Sequence, residues 1–188
     1  MEALWISTAL VAIAEIGDKT QLLAIVLAAR FRRPWPIIAG ILAATLLNHA
    51  LAAAAGFYLA QFFHGLWFKI AVGAAFISVG LWTLIPDKQD DAERKSDGGV
   101  FLTTLIAFFL VEIGDKTQIA TALLAAKFQS VALVTAGTTL GMMLANTPAV
   151  FFGEAFTKVV PLKATRLIAA AAFFLMGAWM LTTAWSTS

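Results

Sequence analysis

The chain has 188 residues, 61% of them hydrophobic, with a mean hydropathy of +0.86 and no cysteine. Charged residues make up 13%, about half the share usual in soluble domains, so the composition is that of an integral membrane protein. Disulfides, thiolate metal sites and thiol redox chemistry are excluded, and the net charge of +2 does not indicate nucleic-acid binding, because the basic residues fall in loops between apolar segments.

Six apolar segments follow one another, each close to the ~20 residues a spanning helix needs. The first is expected over Ala3–Ala29, stopped by Arg30, Arg32, Arg33 and Pro34. The second is expected over Pro36–Phe63 and the third over Leu66–Ile85, with Pro86 as its stop. Residues 87–99 are the one long polar stretch and read as a cytoplasmic linker. The remaining helices are expected over Val100–Ala126, Val131–Phe152 and Lys163–Trp185. No cleavable signal peptide is apparent, since Glu2 stands where a basic leader would begin.

The sequence repeats itself. Glu15-Ile16-Gly17-Asp18-Lys19-Thr20-Gln21 returns as Glu112-Ile113-Gly114-Asp115-Lys116-Thr117-Gln118, an offset of 97 residues. The same offset pairs Gly40 with Gly137, Gly56 with Gly153, Gly80 with Gly177 and Trp82 with Trp179. Residues 1–86 and 100–188 are therefore two three-helix repeats. Three is odd, so the second repeat is expected to be inverted in the membrane, as in many secondary transporters. The expected fold is all-α and polytopic, with six transmembrane helices.

Loop charge orients it. Arg30, Arg32, Arg33, Lys88, Arg94, Lys95, Lys158, Lys163 and Arg166 fall on one side, and Lys69 and Lys127 on the other. The positive-inside rule then puts both termini outside the cytoplasm. Trp5, Trp35, Trp67 and Trp185 lie near segment ends, where an interfacial aromatic belt belongs.

The repeated motif places charge where it is costly. On a continuous helix, Glu15 and Asp18 would lie about 60° apart on one face, and Lys19 and Gln21 would complete a polar arc. Glu112, Asp115, Lys116 and Gln118 would make the same arc, facing the first across mid-membrane. At ~2.5–3.5 kcal/mol for each ionised group at a helix centre, four carboxylates cost on the order of 10 kcal/mol. Pairing with Lys19 and Lys116 alone would leave two negative charges over. One divalent cation balances them, and an oxygen-rich set suits Mn²⁺, Ca²⁺ or Mg²⁺. Zinc sites usually include His or Cys. Carboxylates released by the metal can take protons, which is the minimum chemistry of an antiporter.

Other residues have two readings each. Gly17 and Gly114 either loosen the helix or let another approach closely. Thr20 and Thr117 either supply a ligand oxygen or bond back to their own helix, the commoner use. Asn48, His49 and Asn146, mid-way along the second and fifth segments, either line a pathway or join helices. His49 is also a candidate proton relay. His64 reads as a solvated loop residue, and Glu154 as a partner of Lys158.

E-x-G-D-[KR]-[ST], once in each half of a small six-helix protein, resembles the MneA-type family, the Ca²⁺(Mn²⁺):proton antiporter-2 family of bacterial manganese exporters and their Golgi relatives. Both copies match at every specified position. The resemblance implies that Glu15, Asp18, Glu112 and Asp115 bind the cation, with Lys19, Thr20, Lys116 and Thr117 completing the motifs. It implies a bacterial inner-membrane protein that exports Mn²⁺ from the cytoplasm in exchange for protons.

The expected partners are a divalent metal as substrate, protons and the bilayer, with no cofactor and no nucleic acid; the oligomeric state is open, a homodimer included. The alternatives are Ca²⁺/proton exchange and export of a small organic cation or amino acid. An intramembrane enzyme is disfavoured: there is no Ser/His/Asp or Cys nucleophile constellation, and a duplication suits a symmetric pathway better than an asymmetric active site.

Overall fold

A computed structural model describes residues 1–85, 99–153, 155 and 162–186. The 87–98 part of the expected linker and the Glu154–Lys158 pair lie outside the described residues. Among the described residues the chain is all helical: α1 Glu2–Glu15, α2 Lys19–Phe31, α3 Pro34–Phe62, α4 Leu66–Thr83, α5 Gly99–Glu112, α6 Lys116–Phe128, α7 Val131–Phe152 and α8 Leu162–Ser186.

The expected second, third, fifth and sixth helices are α3, α4, α7 and α8. The first and fourth are corrected. Each is broken inside its motif, giving α1 and α2 in one half and α5 and α6 in the other. Gly17 and Gly114 sit at φ +83° and +74°, and Ile16 is extended. A left-handed residue ends a helix, and Asp18 and Asp115 then start the next one in N-cap position. The single polar arc on a continuous helix is therefore replaced by two helix ends meeting at each motif.

Among the described residues three helices are long and apolar enough to cross a membrane: Pro34–Phe62, Leu66–Thr83 and Lys163–Trp185. The broken segments contribute helices of only 13–14 residues. In α7 the apolar run is interrupted by Thr135, Thr138, Thr139, Asn146 and Pro148. The outer surface is apolar, with Leu47, Leu51, Leu144, Leu167 and Leu175 exposed, and Trp5, Trp35, Trp67 and Trp185 all project outward.

The two halves interlock reciprocally. α1 packs on α7 while α5 packs on α3, and α4 packs on α8. Glycine sets the spacing. A Cβ on Gly40 would lie 2.7 Å from Thr104 Cβ, and one on Gly137 would lie 2.9 Å from Ser7 Cβ. Thr104 and Ser7 are themselves 97 residues apart. In α4 and α8, Gly80 faces the carbonyl of Ala170 and Gly177 that of Gly73, the same contact seen from each half. Phe76 and Phe173, another offset pair, are fully buried in one core cluster. Contacts reciprocal in this way define a pseudo-two-fold relation between the halves.

Candidate metal centre

Both breaks meet in the interior, so α1 and α5 end, and α2 and α6 begin, at one place. Glu15, Asp18, Asp115 and Glu112 are all buried there. Lys116 Nζ lies 3.2 Å from Asp18 Oδ1, and Lys19 Nζ lies 3.2 Å from Asp115 Oδ1. Each lysine therefore meets the aspartate of the opposite half.

Three of the four carboxylates converge. Glu15, Asp18 and Asp115 each offer an oxygen, and these oxygens lie within 4.8 Å of one another. Oxygens this close need only a small inward shift of their side chains to reach one ion at the distances hard cations use. Glu15 and Asp18 come from one half and Asp115 from the other. Glu15 Oε1 is buried and accepts no hydrogen bond from the described residues, so one acceptor oxygen is in hand for a ligand.

Glu112 stands outside the trio. Its Oε1 accepts from Thr45 Oγ1 at 3.2 Å, and its Oε2 lies 3.9 Å from His49 Nε2. Both partners come from α3. The residues in their places on α7 are Met142 and Asn146, and Asn146 Nδ2 is spent on Met142, at 2.8 Å from its Sδ and 3.1 Å from its carbonyl. Glu15 therefore has no counterpart of the Thr45 and His49 contacts, and accepts instead from Thr20 Oγ1. Two identical motifs take different conformations because the helices facing them differ.

The supporting residues mostly stitch the breaks. Gln21 Oε1 accepts the Gly17 amide at 2.9 Å, and Gln118 Oε1 accepts the Gly114 amide at 2.7 Å. Gln21 also donates to the Ala145 carbonyl of α7 at 3.0 Å, tying the broken helix to the other half. These glutamine contacts were not foreseen from the sequence; the signal was a Gln four residues after each positive-φ glycine. Thr20 donates to a carboxylate rather than to its own helix, and Thr117 Oγ1 turns to Asp115 Oδ2 at 3.4 Å. Asn48 Nδ2 bonds the Phe109 carbonyl at 3.0 Å, joining α3 to α5. His49 is fully buried, and His64 is exposed between α3 and α4.

Apolar helices enclosing charged, broken segments that meet at the centre define the class: a helical membrane protein with an ion-transport architecture. The chain belongs to the divalent cation/proton antiporter GDT1 family, whose description matches it twice, over residues 3–91 and 100–188. The chain is thus a transporter by family, and each match covers one of the two repeats.

Two curated relatives are similar over most of their length. One, from Vibrio cholerae serotype O1, carries the name "Putative manganese exporter"; it is 49% identical over 177 residues, covering 94% of this chain and 88% of the relative. The other, a GDT1-like protein of Synechocystis, is 27% identical over 188 residues, covering 88% of this chain and 90% of the relative. No solved structure matches the chain.

Proposed function

We propose that this transporter exports Mn²⁺ across the bacterial inner membrane in exchange for protons, holding the ion between Glu15, Asp18 and Asp115. The observation that carries the reading is the buried carboxylate trio drawn from both halves. The name of the Vibrio relative favours manganese over calcium. The reciprocal contacts and the loop-charge asymmetry support six spans in two inverted repeats, with both termini outside the cytoplasm.

The steps follow from charge. With no cation present, Lys19 and Lys116 hold the aspartates across the interface between halves. An arriving Mn²⁺ takes the aspartate oxygens and the open oxygen of Glu15, and displaces the ammonium groups. The lysines act as built-in counter-cations, so occupancy is coupled to the contacts between halves. Glu112, held apart by Thr45 and His49 of α3, leaves them to join the site when the halves rock against each other, which opens the site to the other side. Protons neutralise the glutamates once the metal has left.

The test is efflux from cells loaded with Mn²⁺. Asp18→Asn removes one charge of the trio while leaving the side-chain shape. It is expected to abolish efflux with the protein still present in the membrane. Undiminished efflux from that variant overturns the proposal.

A further inference from the structure

A second polar feature differs from the carboxylate site in chemistry and lies at the opposite end of α6 from Asp115. At one end of the bundle, the C-terminal ends of α3, α6 and α8 and the first turn of α4 enclose an open cavity of about 320 Å³. At ~30 Å³ per liquid water, it has room for roughly ten waters, the size of a polar head group rather than of an ion. Lys69, Lys127, His64 and Gln129 line its polar side, and Phe68 and Met180 are among its apolar walls.

The placement of these lysines is the first observation. On the loop-charge reading, Lys69 and Lys127 are the two basic residues on the side opposite the cluster of nine, and both line this cavity, from the first turn of α4 and the last turn of α6. The second is how Lys127 is held. Its Nζ sits 3.3 Å from the centre of the Trp179 ring and 3.2 Å from Met180 Sδ. A π face and a thioether orient an ammonium without neutralising it. Among the described residues, Lys127 makes no ion pair within 4.0 Å. The acidic group acting on it, Glu2, is exposed at the start of α1.

The third observation sets the depth. Phe62, Phe63, Trp67 and Trp185 are 78%, 61%, 81% and 79% exposed on the same ends of α3, α4 and α8. Exposed aromatics at helix ends mark the head-group level of a bilayer. The cavity thus combines the Lys127 ammonium, oriented by Trp179 and Met180, the Lys69 ammonium and the His64 imidazole at head-group depth with an apolar wall running down toward the lipid tails.

We propose that this cavity is a binding site for the phosphate group of an anionic phospholipid, with the lysines on the phosphate and the acyl chains against the apolar wall. A free phosphate shares the head-group chemistry but not the apolar wall. The site is independent of the transported ion, and its readout is lipid binding rather than transport.

The experiment is native mass spectrometry of the detergent-solubilised protein titrated with dioleoylphosphatidylglycerol or dioleoylphosphatidylcholine, with inorganic phosphate as a competitor. With about 1 kcal/mol for each of the two lysines near an anionic head group, phosphatidylglycerol is expected to bind about 30-fold more tightly than phosphatidylcholine. The charge-keeping pair Lys69→Arg and Lys127→Arg should retain that preference, and the pair Lys69→Gln and Lys127→Gln should lose it. Should the double Gln variant not fold, Lys69→Gln alone should reduce the preference about fivefold, half of the effect on a logarithmic scale. Equal binding of the two lipids, a preference that survives removal of the lysines, or displacement of phosphatidylglycerol by millimolar phosphate would each overturn the proposal.

Discussion

Lys116 Nζ lies 3.2 Å from Asp18 Oδ1, and the same contact recurs between Lys19 and Asp115, also at 3.2 Å. The residues of each pair come from opposite halves, so neither half neutralises its own aspartate. Breaking a buried pair from one side leaves a charge uncompensated, at a cost of about 3–5 kcal/mol. Lys116→Met is therefore expected to melt well below the wild type in metal-free buffer. A divalent cation supplies the missing charge, and a ligand at 100 times its Kd stabilises by about 2.7 kcal/mol. The Tm of the variant should accordingly rise more on adding MnCl₂ than the wild-type Tm does. Scanning fluorimetry measures both, and equal metal responses would show that the lysine and the cation do not share a locus.

Glu15 and Glu112 are identical in motif and different in surroundings. Glu15 belongs to the carboxylate trio, whereas Glu112 faces Thr45 and His49. In this conformation Glu15→Gln removes a ligand and Glu112→Gln does not. Calorimetric titration of the purified protein with Mn²⁺ is expected to show at least about tenfold weaker binding for Glu15→Gln, a loss of 1.4 kcal/mol. Glu112→Gln should change affinity much less and still stop sustained exchange. Equal losses of affinity would place the ion among all four carboxylates instead.

Gly114 isolates the role of the break. Its φ is +74°, and a Cβ built on it meets nothing within 4 Å. Substitution there tests backbone conformation alone. Gly114→Val is expected to lower stability by about 1–3 kcal/mol, the cost of holding a side-chain-bearing residue in that region. Gly114→Asn, which tolerates the left-handed region, should recover most of that loss. Thermal melts of both variants decide the point; identical destabilisation would mean that strain is not the cause.

Much of this architecture is legible in the sequence. The 97-residue offset carries the reciprocal contacts Gly40–Thr104 and Gly137–Ser7, because a duplicated sequence builds duplicated surfaces. Arg33 and Pro34 mark where α3 begins, and Ser130 and Gly153 bound α7. The breaks are legible only as one of two readings of Gly17 and Gly114, because hydropathy runs through Ile16 and Ile113 without a gap. Glycine followed by aspartate was nonetheless a helix stop and a helix start in succession. The different positions of Glu15 and Glu112 are not visible in the motifs at all. They arise from Thr45 and His49 on α3 against Met142 and Asn146 on α7, and thus depend on which helix packs on which.

Charge balance across the site fixes what the exchange should carry. The aspartates are paired with lysines, and Glu15 and Glu112 have no lysine partner within 4.0 Å among the described residues. Two protons on those glutamates restore the balance that one Mn²⁺ provides, so the exchange is expected to be two protons for one metal and electrically neutral. In proteoliposomes made acidic inside by one pH unit, each outgoing proton contributes about 1.4 kcal/mol, and two protons sustain roughly a 100-fold internal accumulation of Mn²⁺. Clamping the membrane potential with potassium and valinomycin should leave the final level unchanged. Uptake that ignores the pH gradient would indicate uniport. A final level that follows the clamped potential would mean that one of the two glutamates does not exchange its charge during the cycle.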